Sequence, residues 1–161
     1  HVKPVIAKLR ECGVVIDDYL DGLMVRGDVN PLIATDIKTL PYPGFPTDMQ
    51  SMVLSVASVG EGTLILKEQI FENRFKTVPW LKKMGADITL SGDSVLVKGV
   101  ETLKGSEVYG EDLRGTAALI IAGLAAQETT VIHDADYILR GYMDLCENLK
   151  GLGAEIEWEN S

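Results

Sequence analysis

The sequence predicts an α/β fold of inside-out type, an inside-out α/β barrel with buried helices in the middle and sheets outside them. Three observations predict it. A short block recurs three times, as Leu9-Arg-Glu-Cys-Gly-Val-Val-Ile16, Leu81-Lys-Lys-Met-Gly-Ala-Asp-Ile88 and Leu149-Lys-Gly-Leu-Gly-Ala-Glu-Ile156, with glycines 13, 85 and 153 separated by 72 and 68 residues. Two further segments, Thr116 to Ala126 and Met49 to Val59, are apolar on nearly every helical face, broken in the second only by Gln50 and serines. A helix without a polar face is buried all round. Polar turns separate short apolar runs between these helices, so each helix alternates with strands and the sheets must lie outside them.

The elements follow in order. Val2, Val5, Ile6, Leu9 and Cys12 fall on one helical face, and the helix stops at Gly13, a residue suited to the left-handed conformation of a helix C-cap. Asp21-Gly22 and Ser91-Gly92-Asp93 precede Leu23-Met-Val25 and Val95-Leu-Val97 and predict hairpins. An extended stretch comes next (Ile33 to Leu40; around Val108), then a buried helix, then a strand (Thr63 to Leu66; Thr130 to Ile132). The repeat units are thus 1–68 and 69–135, with the start of a third at 136–161. Small residues in the buried helices let them approach closely. Trp80 and Trp158 sit within repeat elements and are expected in or near the core.

With 161 residues and 46% hydrophobic content, the chain is long enough for one core and one compact domain. A formal net charge of −9 argues against nucleic acid or an anionic membrane surface as partner, although converging arginines can still create a local positive field. The longest apolar segment is too short to span a bilayer, so the chain is expected to be soluble and cytoplasmic. Cys12 and Cys146 have no CxxC spacing and are expected as reduced, packed thiols. His1 and His133 are too isolated for a metal site or a nucleophilic triad, and no cofactor motif is present. The sequence begins at His1, without a methionine and within a helical pattern, as expected of a fragment.

Residues able to carry chemistry cluster at the helix starts. Pro41-Tyr-Pro-Gly-Phe-Pro-Thr-Asp-Met-Gln50 uses three prolines and a glycine to deliver Thr47 and Asp48 to the beginning of a buried helix. Either residue could simply cap it. The rigid approach of a carboxylate beside the positive end of a buried helix also suits an anionic or hydroxyl-bearing ligand. Asp112 stands at the same point in the next unit, followed by Arg114. Arg74 and Arg140 recur at unit junctions beside apolar residues, and guanidinium forks on one shared rim would bind carboxylate and phosphate groups.

Phe45-Pro-Thr-Asp-Met-Gln50, Ile70-Phe-Glu-Asn-Arg-Phe75, Asp112-Leu-Arg114 and Arg140-Gly-Tyr142, in this order and spacing, closely resemble the UDP-N-acetylglucosamine enolpyruvyl transferases. The resemblance covers nearly the whole chain and implies two similar domains of threefold β/α repeats, with helices inside and the active site in the cleft between them. It implies transfer of enolpyruvyl from phosphoenolpyruvate to the 3-hydroxyl of UDP-N-acetylglucosamine in peptidoglycan synthesis, with its ties to cell shape and division, and no cofactor. By motif, Asp48 would be the general base, Thr47 and Ile70 would line the nucleotide-sugar pocket, Arg114 and Arg140 would hold phosphoenolpyruvate, and Arg74 and Asp112 would order the cleft. The family's proton-donating cysteine loop and Lys-Asn pair belong to the other domain and have no match here. Cys12 and Cys146 do not take that role. The chain is therefore expected to hold half of an active site, to need the missing second domain as partner, and to be inactive alone. The shikimate-pathway enolpyruvyl transferase and a non-catalytic module on the same repeat are the alternatives.

Overall fold

The computed structural model describes residues 2–159; His1, set aside above as a metal ligand, lies outside the described residues. The chain opens with α1 (Lys3–Glu11), which carries Pro4 in its first turn and Lys8 and Arg10 in its last. Both placements are favourable, since proline lacks an N–H that would be unpaired there and cations complement the negative helix end. The predicted inward face holds at Val5 and Cys12, while Val2 precedes the helix and stays exposed.

The recurring glycine block has one local structure. After α1, after α3 (Val78–Lys83) and after α5 (Leu145–Gly151), the glycine takes a left-handed φ of 93°, 95° and 94° at Gly13, Gly85 and Gly153. In each case its N–H and that of the next residue return to the last turn: Gly13 to Arg10 O and Val14 to Leu9 O, Gly85 to Lys82 O and Ala86 to Leu81 O, Gly153 to Lys150 O and Ala154 to Leu149 O. These are three Schellman caps.

Hairpins follow the first two caps. Strand β1 (Val15–Asp18) pairs antiparallel with β2 (Leu23–Arg26), and β5 (Asp87–Ser91) with β6 (Ser94–Lys98) across Gly92 and Asp93. Among the described residues no strand follows the third cap, contrary to the sequence pattern. Ala154 to Glu159 has no neighbouring ladder among the described residues, and an isolated strand leaves its backbone groups unpaired. Trp158 is accordingly 45% exposed rather than near the core.

Between these blocks run β3 (Ile37–Lys38), a 3-10 turn (Thr47–Met49), α2 (Gln50–Ala57) and β4 (Thr63–Lys67). The second half runs through β7 (Leu103–Lys104), β8 (Glu107–Tyr109), α4 (Leu113–Ala125), β9 (Ala126–Gln127), β10 (Val131–His133) and a 3-10 segment (Ala135–Arg140). Sheet order β3-β4-β6-β5 joins strands from both halves, and β7 with β9 and β8 with β10 form parallel pairs. The architecture is mixed α/β, and among the described residues the strands form four separate sheets.

Helices α2 and α4 pack on each other, with β6 against α2 and β7, β9 and β10 against α4. Their small residues permit this approach: the Ser55 hydroxyl donates to the Ala118 carbonyl at 2.7 Å. Around the pair lies a core that includes Leu54, Leu64, Leu66, Leu81, Met84, Ile88, Val97 and Leu119. Burial of α4 is incomplete, however, since Leu124 in its last turn is 45% exposed. The helix leaves the core there, before β9 begins. No helix among the described residues is long and apolar enough to cross a membrane.

Candidate functional site

The starts of α2 and α4 meet. Asp112 has extended backbone at the N-cap of α4, and its carboxylate accepts from the N–H groups of Arg114 at 2.9 Å and Gly115 at 2.8 Å. This fixes the first turn of α4, and with it Arg114, whose Nε lies 2.5 Å from Asp48 Oδ1. The two residues are 66 positions apart in sequence. Neither is enclosed, with Arg114 35% and Asp48 59% exposed at the side chain. Asp48 caps nothing, because the 3-10 turn is closed by backbone bonds from Met49 N–H to Pro46 O and from Gln50 N–H to Thr47 O. Its carboxylate is left to face outward.

The proline-rich approach to this turn is closed by local backbone bonds. Leu40 N–H donates to Phe45 O, Gly44 N–H donates to Pro41 O, and the Tyr42–Pro43 peptide is cis. Thr47 does not cap either; its hydroxyl donates to Glu68 Oε2 at 2.9 Å. Glu68 Oε1 in turn accepts from the Thr39 hydroxyl and from the N–H groups of Ile70 and Phe71. One buried carboxylate thereby joins Thr47 to Ile70. Sequence reasoning passed over Glu68, although it follows β4 directly and continues the inward alternation of Leu64 and Leu66, and all three are buried.

Arg74 and Arg140 have local partners. Arg74 lies over the Phe71 ring at 4.5 Å and Arg140 over Tyr137 at 5.4 Å. The segment carrying Arg140 nevertheless reaches both helices. Gly141 sits so tightly on α4 that a Cβ there would come within 2.8 Å of Leu113 Cδ2, and the Tyr142 hydroxyl contacts Met52 Sδ of α2 at 3.7 Å. The structure thus joins Asp48, Arg114 and Asp112 directly, and Thr47 and Ile70 through Glu68. Arg74 and Arg140 make no ion pair with these groups among the described residues.

Enclosure is slight. A depression beside Asp112, lined by Lys76, Trp80, Tyr109 and Glu111, encloses essentially no free space. Another, lined by Leu9, Cys12, Ile33 and Val53, encloses about 10 Å³. Pockets for drug-sized ligands begin at about 300 Å³, and neither depression includes Asp48 or Arg114. The Asp48–Arg114 pair lies on an open face.

Other chemical groups stand apart. Cys12 and Cys146 are free, buried thiols, and burial pushes the Cys146 thiol up, away from the reactive thiolate. His133 stacks on Tyr109 at 4.8 Å, and Tyr109 packs against Trp80 at 5.3 Å. No group of three or more His, Cys, Asp or Glu among the described residues is placed to hold a metal.

The chain is similar to known proteins in sequence and in fold. The sequence model of the family described as EPSP synthase (3-phosphoshikimate 1-carboxyvinyltransferase) matches residues 1–149. UDP-N-acetylglucosamine 1-carboxyvinyltransferase 1 of Caldanaerobacter subterraneus subsp. tengcongensis is 51% identical over 97% of this chain, which spans 37% of that protein's length. The UDP-N-acetylglucosamine 1-carboxyvinyltransferase of Desulfofundulus thermocisternus is 50% identical over 97% of this chain and 64% of its own length. Among solved structures, the enolpyruvyl transferase NikO from Streptomyces tendae superposes with a TM-score of 0.87 at 27% identity, covering 97% of this chain and 36% of NikO. EPSP synthase from Acinetobacter baumannii shares the fold, with a TM-score of 0.68 at 16% identity over 97% of this chain and 37% of its own. The chain belongs to the EPSP synthase (3-phosphoshikimate 1-carboxyvinyltransferase) family.

Proposed function

We propose that this chain is half of the active site of an enzyme that transfers enolpyruvyl from phosphoenolpyruvate to the 3-hydroxyl of UDP-N-acetylglucosamine, in cytoplasmic peptidoglycan synthesis. The observation that carries the reading is the Asp48–Arg114 contact across the starts of two buried helices. It sets a proton acceptor beside an anion-binding fork. The names of the relatives at 50% and 51% identity favour UDP-N-acetylglucosamine as acceptor. The open face and the 37% span of the Caldanaerobacter relative favour a site completed by a second domain. On this reading the chain is two repeat units, 1–68 and 69–135, and the start of a third, 136–161, of an inside-out barrel.

In the reaction Asp48 takes the proton of the sugar 3-hydroxyl as its oxygen bonds to C2 of phosphoenolpyruvate, while C3 gains a proton from a donor on the other domain. The tetrahedral adduct then releases phosphate and a C3 proton, which restores the double bond. A base held within hydrogen-bond reach contributes roughly 100- to 10,000-fold. Arg114 and Arg140 hold the phosphate and carboxylate, and fixed charges of this kind stabilise the developing charge without reorganisation. Thr47 and Ile70 line the sugar side, and Arg74 and Asp112 order the cleft.

The test is a titration of the labelled chain followed by amide resonances. UDP-N-acetylglucosamine is expected to shift Thr47, Asp48 and Ile70, and the chain incubated with both substrates is expected to release no phosphate. The shikimate reading is favoured by the description of the matching family, and shifts with shikimate 3-phosphate but not with the nucleotide sugar would establish it instead. Turnover by the chain alone would refute the half-site.

A further inference from the structure

Glu68 is 3% exposed and is paired with no cation among the described residues. Burying a carboxylate in this way is costly unless donors replace the water it loses. Here four do, and they are divided unequally. Oε1 accepts from the Thr39 hydroxyl at 2.8 Å, Ile70 N–H at 2.8 Å and Phe71 N–H at 3.2 Å, whereas Oε2 accepts from Thr47 alone, at 2.9 Å. The Thr39 hydroxyl also accepts from Gln69 N–H at 2.8 Å, so its hydrogen must go to Glu68. A carboxylate only accepts, and a threonine hydroxyl has one hydrogen and two lone pairs. The single hydrogen of Thr47 is therefore committed inward. What Thr47 offers outward, beside the carboxylate of Asp48, is lone pairs.

We propose that Glu68 is a positioning residue that fixes Thr47 as a hydrogen-bond acceptor, so that Thr47 and Asp48 together select a ligand presenting O–H or N–H groups, as the hydroxyls and acetamido group of an amino sugar do. This rests on the reading that Thr47 lines the nucleotide-sugar side. Glu68 also ties that side to the segment leading to Arg74, since the two N–H groups it holds belong to Ile70 and Phe71. Replacing Glu68 by glutamine keeps the shape and reverses one polarity. The backbone N–H groups cannot turn, so the amide oxygen must stay with them; the amide NH₂ then faces Thr47, whose hydroxyl has to accept inward and point its hydrogen out.

The test is a set of variants titrated with UDP-N-acetylglucosamine. E68Q is expected to stay folded, with Ile70 and Phe71 amides protected from exchange as in the parent, yet to bind about tenfold more weakly, the scale of one hydrogen bond. A purely structural role would alter protection and melting without this selective loss. T47V is expected to lose a similar amount, and E68Q combined with T47V to lose no more than T47V alone. Parent-like binding by E68Q, or losses that multiply in the double variant, would overturn the proposal. If the parent shows no shift with the nucleotide sugar, the transferase reading falls and the ligand selection with it; amide exchange in E68A then decides the anchoring, faster exchange at Ile70 and Phe71 supporting it and unchanged exchange removing it.

Discussion

Asp48 and Asp112 both stand at the start of a buried helix, yet the backbone consumes one carboxylate and not the other. Asp112 is extended, with φ −161° and ψ 170°, which aims its side chain at the free N–H groups of α4. Asp48 lies inside a 3-10 turn whose Met49 and Gln50 amides are taken by Pro46 O and Thr47 O, and its carboxylate reaches across to Arg114. The difference lies in who pairs the first amides of the helix, a requirement every helix start imposes. An acid at a helix start becomes available for chemistry when the chain before it has already met that requirement, as the proline-rich approach to Asp48 does.

The largest expected effect separates the two acids by function. In the complete transferase we propose, D48N is expected to lower turnover by about 100- to 10,000-fold and to leave the melting temperature of this chain nearly unchanged, because its partner is a half-exposed ion pair. Full turnover in D48N would erase the distinction. Next in size, D112A is expected to destabilise the chain by about 1 kcal/mol in urea unfolding, the typical worth of an N-cap. D112N, which still caps, should recover most of that. Equal losses in both variants would show that Asp112 acts by charge rather than as a cap.

A third acid gives the smallest effect and the lower end of the scale. Asp93 is exposed in the β5–β6 loop, and its carboxyl is held below the ordinary 3.8 by the Ser94 hydroxyl and the Lys67 ammonium. With the folded value depressed, the stabilisation is present above the unfolded value and is lost as pH falls below 3.8 through the folded value. Melting curves of D93N and the parent should therefore differ slightly near neutrality and converge in acid. A gap that widened in acid would reverse the sign.

Much of the local structure was legible. The three glycine caps and the two hairpins depend on contacts within a few residues, and for these Gly13, Gly85, Gly153 and the two polar turns were sufficient. The buried helices were legible from their lack of a polar face. Trp158 and the strand expected after Gly153 were misread for a single reason: a strand needs a neighbour, and no pattern within Ala154 to Glu159 can supply one. Glu68 was legible in principle from the alternation along β4, but a lone glutamate after a strand resembles a surface residue until its four donors, from Thr39, Thr47, Ile70 and Phe71, are seen around it.

The sequence by itself determined the family, through the resemblance of its motifs, and the glycine caps, the two hairpins and the buried helices, because periodicity and turn chemistry act over short distances. Only the tertiary structure decided that Asp48 faces Arg114, and toward which side the Thr47 hydroxyl spends its hydrogen. Those outcomes turn on groups separated by 21 and 66 positions that meet only when α2, β4 and α4 pack. Hydrogen bonds and ion pairs are decided at about 3 Å, a distance that the packing of distant segments sets.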